Sequence, residues 1–190
     1  MAKAKHTIRI ISGSHRSRRL PVLDFQGLRP TGDRLREVLF NWLQMDIVGK
    51  NVLDLCAGSG ALGFEAASRG AKNVILVEAH AQISHQLMKI KQDFQFESAR
   101  IINQKAQQYL QSNEQVFDLV FLDPPFSDNL MEQLTALVIE HISLGGFLYR
   151  ESGLDQELPK LPDNWQLYRK KKAGQVKIEL WRKLNPNLEN

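Results

Sequence analysis

The stretch NVLDLCAGSGALG, Asn51 to Gly63, decides the fold, because a short apolar run gives way to G-x-G-x-x-G and then to helix-forming residues. Strand, glycine turn and helix in that order begin a β-α-β unit. In such a unit Gly58 and Gly60 let backbone approach a ligand, and Gly63 lets helix and strand pack closely. The next apolar run, NVILVE, ends in Glu78, 20 residues past Gly58, where a carboxylate can accept hydrogen bonds from ribose hydroxyls. The glycines alone are a weak signal; with the strand and the acid they imply a ribose-containing ligand.

The alternation extends outward from this unit. In DRLREVLFNWLQM, Leu35, Val38, Leu39, Trp42 and Leu43 fall at i, i+3, i+4, i+7 and i+8, which predicts a helix packed on a core, with Asp33 placed to cap it. After Glu78 come AQISHQLMKIKQDF as helix, ARIIN as strand, AQQYLQS as helix and FDLVFLD as strand. NLMEQLTALVIEHI follows as helix and GGFLYRE as strand, and WQLYRKKK and VKIELWRKL, joined at Ala173-Gly174, read as an antiparallel edge hairpin. HTIRIIS and RRLPVLD, around a Gly/Ser/Arg loop, read as a hairpin-like N-terminal extension. The expected class is therefore α/β: a Rossmann-like three-layer sandwich around a mostly parallel sheet.

At 190 residues and 43% hydrophobic content the chain can bury a core of one domain. No window approaches a membrane span and MAKAKHTIRI lacks the apolar region of a signal peptide, so the expectation is a soluble, cytoplasmic protein without a membrane partner. Cys56 is the only cysteine, which excludes an internal disulfide, and the five histidines lack paired spacing, so no metal is expected. Charge is segregated. Residues 1–36 sum to +7, residues 37–159 to −8 and residues 160–183 to +6. Arg16, Arg18 and Arg19 in SHRSRRL and Arg169, Lys170, Lys171 and Lys172 in YRKKK fit either solvated faces or a polyanion footprint.

Asp54 bears on the identity of the ligand. It lies in the strand four residues before Gly58, where a carboxylate would repel a dinucleotide pyrophosphate but favour a cationic sulfonium carrying an amino group; the alternative is that it simply ties down the loop amides. Cys56 reads as a packing residue rather than a nucleophile. A second motif, FLDPPF, ends the fourth strand of the β-α series. Its two prolines stop the ladder and push Asp123 into an extended conformation. The Asp123 carboxylate and the Pro124 carbonyl can then both accept hydrogen bonds from one NH₂ group, while Phe126 offers a ring face to a planar base. That arrangement answers a chemical difficulty: the lone pair of a nucleobase amine is delocalised, and it attacks a methyl-sulfonium carbon only when held and aimed.

DLCAGSGALG, VEA and DPPF together resemble the class I S-adenosylmethionine-dependent methyltransferases that modify exocyclic amines of nucleic acid bases. RPTGDRLREVLFNWL and AGQVKIELWRK extend the likeness over nearly the whole chain, to the ribosomal RNA small subunit methyltransferase D family. The resemblance implies methylation of guanine 966 at N2 in bacterial 16S rRNA, within a small ribosomal subunit or an assembly intermediate. It also implies a seven-stranded sheet, with a hairpin extension and lid segment over 1–32, a methyltransferase domain over 33–184 and a tail over 185–190. By the same likeness Asp54, Gly58 and Gly60 hold the methionine end of S-adenosylmethionine, Glu78 the ribose, and Lys105 and Ala106 the adenine region. Arg29, Pro30 and Thr31 border the cofactor and close the site, and Asp123, Pro124 and Phe126 receive the base. Two places depart from the usual pattern: Gly32 stands where a second threonine is common, and SGSHRSRRL replaces a segment richer in glycine and tryptophan. Other readings are a DNA or other RNA amino-methyltransferase, an NAD-dependent oxidoreductase and a non-catalytic RNA-binding protein.

Overall fold

The computed structural model describes residues 6–23, 32–125 and 130–185. Its centre is a seven-stranded sheet in the order β5-β4-β3-β6-β7-β9-β8. The strands are β3 (Asn51–Asp54), β4 (Asn73–Glu78), β5 (Ala99–Asn103), β6 (Phe117–Leu122), β7 (Ile142–Gly153), β8 (Trp165–Ala173) and β9 (Val176–Lys183). The β3, β4, β5, β6 and β7 ladders are parallel, and β9 runs antiparallel between β7 and β8. The expected terminal hairpin is present, with its second strand inserted inside its first.

Side-chain alternation sorts the core into two layers. Val52, Val74, Leu76, Leu119, Phe121 and Tyr149 face α1 (Asp33–Trp42), α2 (Ala61–Ser68) and α3 (Ala81–Phe94). Leu53, Ile75, Val77, Val120 and Leu148 face α4 (Ala106–Ser112) and α5 (Leu130–Val138). No helix among the described residues is long and apolar enough to cross a membrane.

The first helix differs from its sequence reading at two points. Asp33 is not the cap: Gly32 occupies that position without a side-chain bond, and Asp33 is the first helical residue. There its carboxylate accepts from Arg36 Nη2 at 2.9 Å, and its charge still suits the helix N-terminus. The buried stripe also includes Phe40 and Arg36, the latter donating to the Arg9 carbonyl at 2.7 Å. Burial lowers the Arg36 pKa, with Asp33 and Glu65 opposing. Phe40 meets Phe121 edge-on at 5.9 Å, and Phe121 meets Tyr149 at 6.0 Å, carrying the packing from α1 into the sheet.

Strand β7 starts earlier than the run GGFLYRE suggests. Helix α5 stops at Val138, a single 3₁₀ turn covers Ile139–His141, and Ile142 opens the strand. Lys183 Nζ takes up the carbonyls of Ile139 and Ile142 at 2.9 and 3.0 Å, so the helix end has a partner other than its own next turn.

At the N-terminus, β1 (His6–Arg9) and β2 (Arg19–Val22) form the expected antiparallel hairpin. It lies along α2. The buried Glu65 carboxylate accepts the amides of Ile11 and Ser12 at 2.7 and 3.1 Å and Arg69 Nε at 2.7 Å. A Cβ on Gly13 would stand 1.8 Å from the Ser68 carbonyl oxygen, so only glycine permits this docking. The His15 ring stacks on Phe96 at 4.0 Å, and Ile10 and Leu20 join the main core.

Candidate active site

Three strands end in carboxylates at the same edge of the sheet. Asp54 closes β3, Glu78 closes β4 and Asp123 follows β6. The turn between β3 and α2 is made by Gly58 and Gly60, with φ of 50° and 76°, and Gly60 N–H donates back to the Ala57 carbonyl at 2.7 Å. Gly63 has a steric role: a Cβ there would approach Leu76 to 2.7 Å and Asp54 Oδ2 to 3.0 Å.

The protein's own acids take up the loop amides. Gly63 N–H donates to Asp54 Oδ2 at 2.9 Å, and Gly58 N–H donates to Glu78 Oε2 at 2.9 Å. The other Glu78 oxygen accepts His80 N–H at 2.7 Å. Glu78 is thereby fixed by backbone on both oxygens and retains lone pairs for a ligand's hydroxyls. Burial pushes the Asp54 carboxyl up to about 7; the Gly63 amide opposes this and the Glu78 charge adds to it. No cation of the described residues appears among these influences. The Cys56 thiol is held protonated by burial and then by Asp54, Asp123 and Glu78, which agrees with a packing role.

This environment fits a positively charged donor. An ammonium or sulfonium would restore the charge that Asp54 loses by burial, whereas a pyrophosphate would add charges of the same sign. Pro124 is buried and Asp123 half-buried at the rim, adjacent to these acids. Lys105 precedes α4 with extended backbone and Ala106 opens that helix, so both stand just beyond β5 on the Glu78 side. Arg29, Pro30, Thr31 and Phe126 lie outside the described residues.

The two basic clusters occupy different places. Gly153 at the end of β7 pairs with Val176, so the β8–β9 turn projects from the sheet edge that carries the acids. Lys170, Lys171 and Lys172 lie on β8 next to that turn, and pairing divides the run. Arg169 and Lys171 oppose Leu180 and Ile178 on the α1 side, while Lys170 and Lys172 oppose Glu179 and Lys177 on the other. Arg16 and Arg18 are exposed at the hairpin tip beside Ser68, with Arg19 at the start of β2. Because α2 starts at the glycine loop and ends at Ser68, the tip is one helix length, roughly 12 Å, from the acids.

Two features escaped the sequence reading. Asn103 Nδ2 donates to the Glu78 and Ala79 carbonyls at 2.8 and 3.1 Å, bracing the acidic loop from β5. Tyr149 Oη donates to Glu151 Oε2 at 2.7 Å inside the protein, one strand over from Asp123. Asn103 directly precedes the QKA turn, which could have flagged it; nothing local to GGFLYRE marks a buried Tyr–Glu pair.

Comparison with known proteins places this geometry in a family. The model described as "Conserved hypothetical protein 95" matches residues 8–182. The Escherichia coli K12 protein named "Ribosomal RNA small subunit methyltransferase D" is 43% identical over 96% of each chain. Its Haemophilus influenzae namesake is 45% identical over 94% of this chain and 95% of the relative. A solved Escherichia coli structure described as a "Putative methyltransferase" superposes with a TM-score of 0.86 at 40% identity, covering 94% of this chain and 99% of the other. With a family model matched over residues 8–182, relatives 43–45% identical over almost its full length and a shared fold, the chain belongs to the ribosomal RNA small subunit methyltransferase D family.

Proposed function

We propose that this protein transfers the methyl group of S-adenosylmethionine to N2 of guanine 966 in 16S rRNA, within the small ribosomal subunit or an intermediate of its assembly. The observation that carries the reading is the convergence of Asp54, Glu78 and Asp123 at one sheet edge beside Pro124, with no cation of the described residues among the influences on Asp54 or Cys56. The names of the relatives that span 96% of the chain support the ribosomal substrate.

In this reading Asp54 faces the cationic methionine end of the donor, Gly58 and Gly60 give it room, and Glu78 accepts the ribose hydroxyls. Lys105 and Ala106 border the adenine, and Arg29, Pro30 and Thr31 close over it. The donor supplies an electrophilic methyl carbon. The Asp123 carboxylate and Pro124 carbonyl hold the two amine protons of the base, with Phe126 against its ring, so the nitrogen lone pair points at that carbon. The new N–C bond forms as the C–S bond breaks with its electron pair passing to sulfur. The methylated amine, now acidic, gives its proton to Asp123 or water. Arg16, Arg18, Arg19, Arg169, Lys170, Lys171 and Lys172 hold phosphates while the guanine is drawn out of its stack.

The test is labelled methyl transfer to small subunits lacking this modification, followed by mapping of the labelled nucleotide. Label confined to N2 of guanine 966 is expected; label elsewhere refutes the specificity. Asp123→Ala is expected to lower the rate by about a hundredfold or more, since orientation supplies most of the acceleration. An unchanged rate removes Asp123 from the base site.

A further inference from the structure

Resting on the reading of Asp123 and Pro124 as the amine site, we propose that Glu151 is the residue that selects guanine, its carboxylate accepting the ring N1–H beside the N2 amine. Guanine alone among the four RNA bases presents a ring N–H next to an exocyclic NH₂. Adenine and cytosine present a ring lone pair there, and a carboxylate facing it would be repelled. Asp123 and Pro124 would accept protons from any exocyclic amine, so discrimination requires a second group.

Register and burial point to Glu151. The β6–β7 ladder ends with Leu122 opposite Arg150, so the next positions, Asp123 and Glu151, follow side by side, on strands about 4.8 Å apart. By the same alternation both follow Phe121 and Tyr149, a paired row on the face that also carries Asp54. Glu151 is 7% exposed and has the longer side chain, suited to reach past the amine to the ring. Tyr149 Oη donates to it at 2.7 Å, which fixes the orientation of the carboxyl group and leaves its other lone pairs as acceptors. Burial and the charges of Glu151, Asp123 and Asp54 hold the Tyr149 phenol protonated, so that its role stays that of a donor. Tyr149 is thus a positioning residue, with Glu151 the group that touches the base.

The experiment uses reconstituted small subunits carrying either guanine or 2-aminopurine at the target nucleotide. The analogue keeps the C2 amine but has a lone pair at N1. Wild-type enzyme is expected to prefer guanine in kcat/KM by roughly 10- to 100-fold, the scale for losing a hydrogen bond to a charged group. Glu151→Gln keeps an acceptor for Tyr149 and can turn its NH₂ toward the N1 lone pair, so activity on guanine falls, activity on 2-aminopurine rises and the preference collapses. Equal loss on both substrates assigns Glu151 a purely structural role and overturns the proposal. Should the variant not fold, a wild-type ratio near one overturns it equally. Retention of guanine methylation in Asp123→Ala is the separate result that would remove the underlying amine-site reading.

Discussion

Replacing Asp54 by Asn isolates one buried charge. The amide is nearly isosteric and keeps an oxygen for the Gly63 amide, but it does not titrate. In the folded protein burial raises the Asp54 carboxyl from 3.8 to about 7. Between those values the folded state holds a proton that the unfolded state has released, so stability falls as pH rises, with slope 2.303RT per bound proton. From pH 5 to pH 8 the single group removes roughly 3 kcal/mol, most of it below pH 7. That loss lowers the midpoint by roughly 6–12 °C in a domain of this size. The assay is thermal and urea unfolding of the ligand-free wild type and Asp54→Asn at half-unit pH steps, taking the difference so that other groups cancel. The expected difference is small below about pH 4, grows in favour of the variant up to about pH 7, then levels off. Parallel pH curves would refute the premise that Asp54 is a buried, unneutralised acid. S-adenosylmethionine brings a positive charge to Asp54, so its binding should release a proton near pH 7 in wild type and none from this position in the variant.

Gly63→Ala forces a Cβ to 2.7 Å from Leu76 and should cost about 1–3 kcal/mol in urea unfolding, with loss of donor affinity as Asp54 is displaced. Gly13→Ala should undock the hairpin while the sheet stays folded; hydrogen exchange will show faster exchange at Ser14 and Ile11, whose amides donate to Ser68 and Glu65, and unchanged protection in β3 and β6. Gly32→Ser adds a side-chain cap where nothing among the described residues lies within 4 Å of a new Cβ and should stabilise by a few tenths of a kcal/mol in the same unfolding assay. If Lys170 and Lys172 contact phosphates, Lys→Ala at each should reduce the log–log salt slope of subunit binding by about one, measured by filter binding across salt.

What could be read from the chain alone follows the range of the interactions involved. Gly58, Gly60, Gly63, Asp54 and Glu78 were readable because a strand-turn-helix unit sets their geometry within a few residues, and the next strand of a β-α-β unit must lie alongside. The hairpin flanking SGSHRSRRL was readable from two β-type runs, but its seat on α2 was not, since that depends on Gly13 meeting Ser68 and on Glu65 meeting two distant amides. Arg36 falls outside the apolar i, i+3, i+4 pattern of its helix; its burial depends on Asp33 and on the Arg9 carbonyl that β1 brings to it. RKKK reads as one positive patch, yet a strand of period two sends alternate members to opposite faces. Tyr149 and Glu151 lie in an apolar run whose polar members acquire meaning only from the strand beside them.

The glycine loop illustrates how one motif can serve chemically opposite ligands. A pyrophosphate binds such a loop through uncommitted backbone N–H groups aided by the helix dipole. Here the amides of Ala57, Gly58, Gly60 and Gly63 donate to the Val77 carbonyl, Glu78, the Ala57 carbonyl and Asp54. An anion using the Gly58 and Gly63 amides would have to displace two carboxylates, and one bound elsewhere on the loop would still sit beside their charges. A cation faces neither cost, because the carboxylates keep their amides and gain a counter-charge. The glycines therefore shape the loop, while Asp54 and Glu78, by taking up the Gly63 and Gly58 amides and adding their own charge, reverse the sign of the charge it favours.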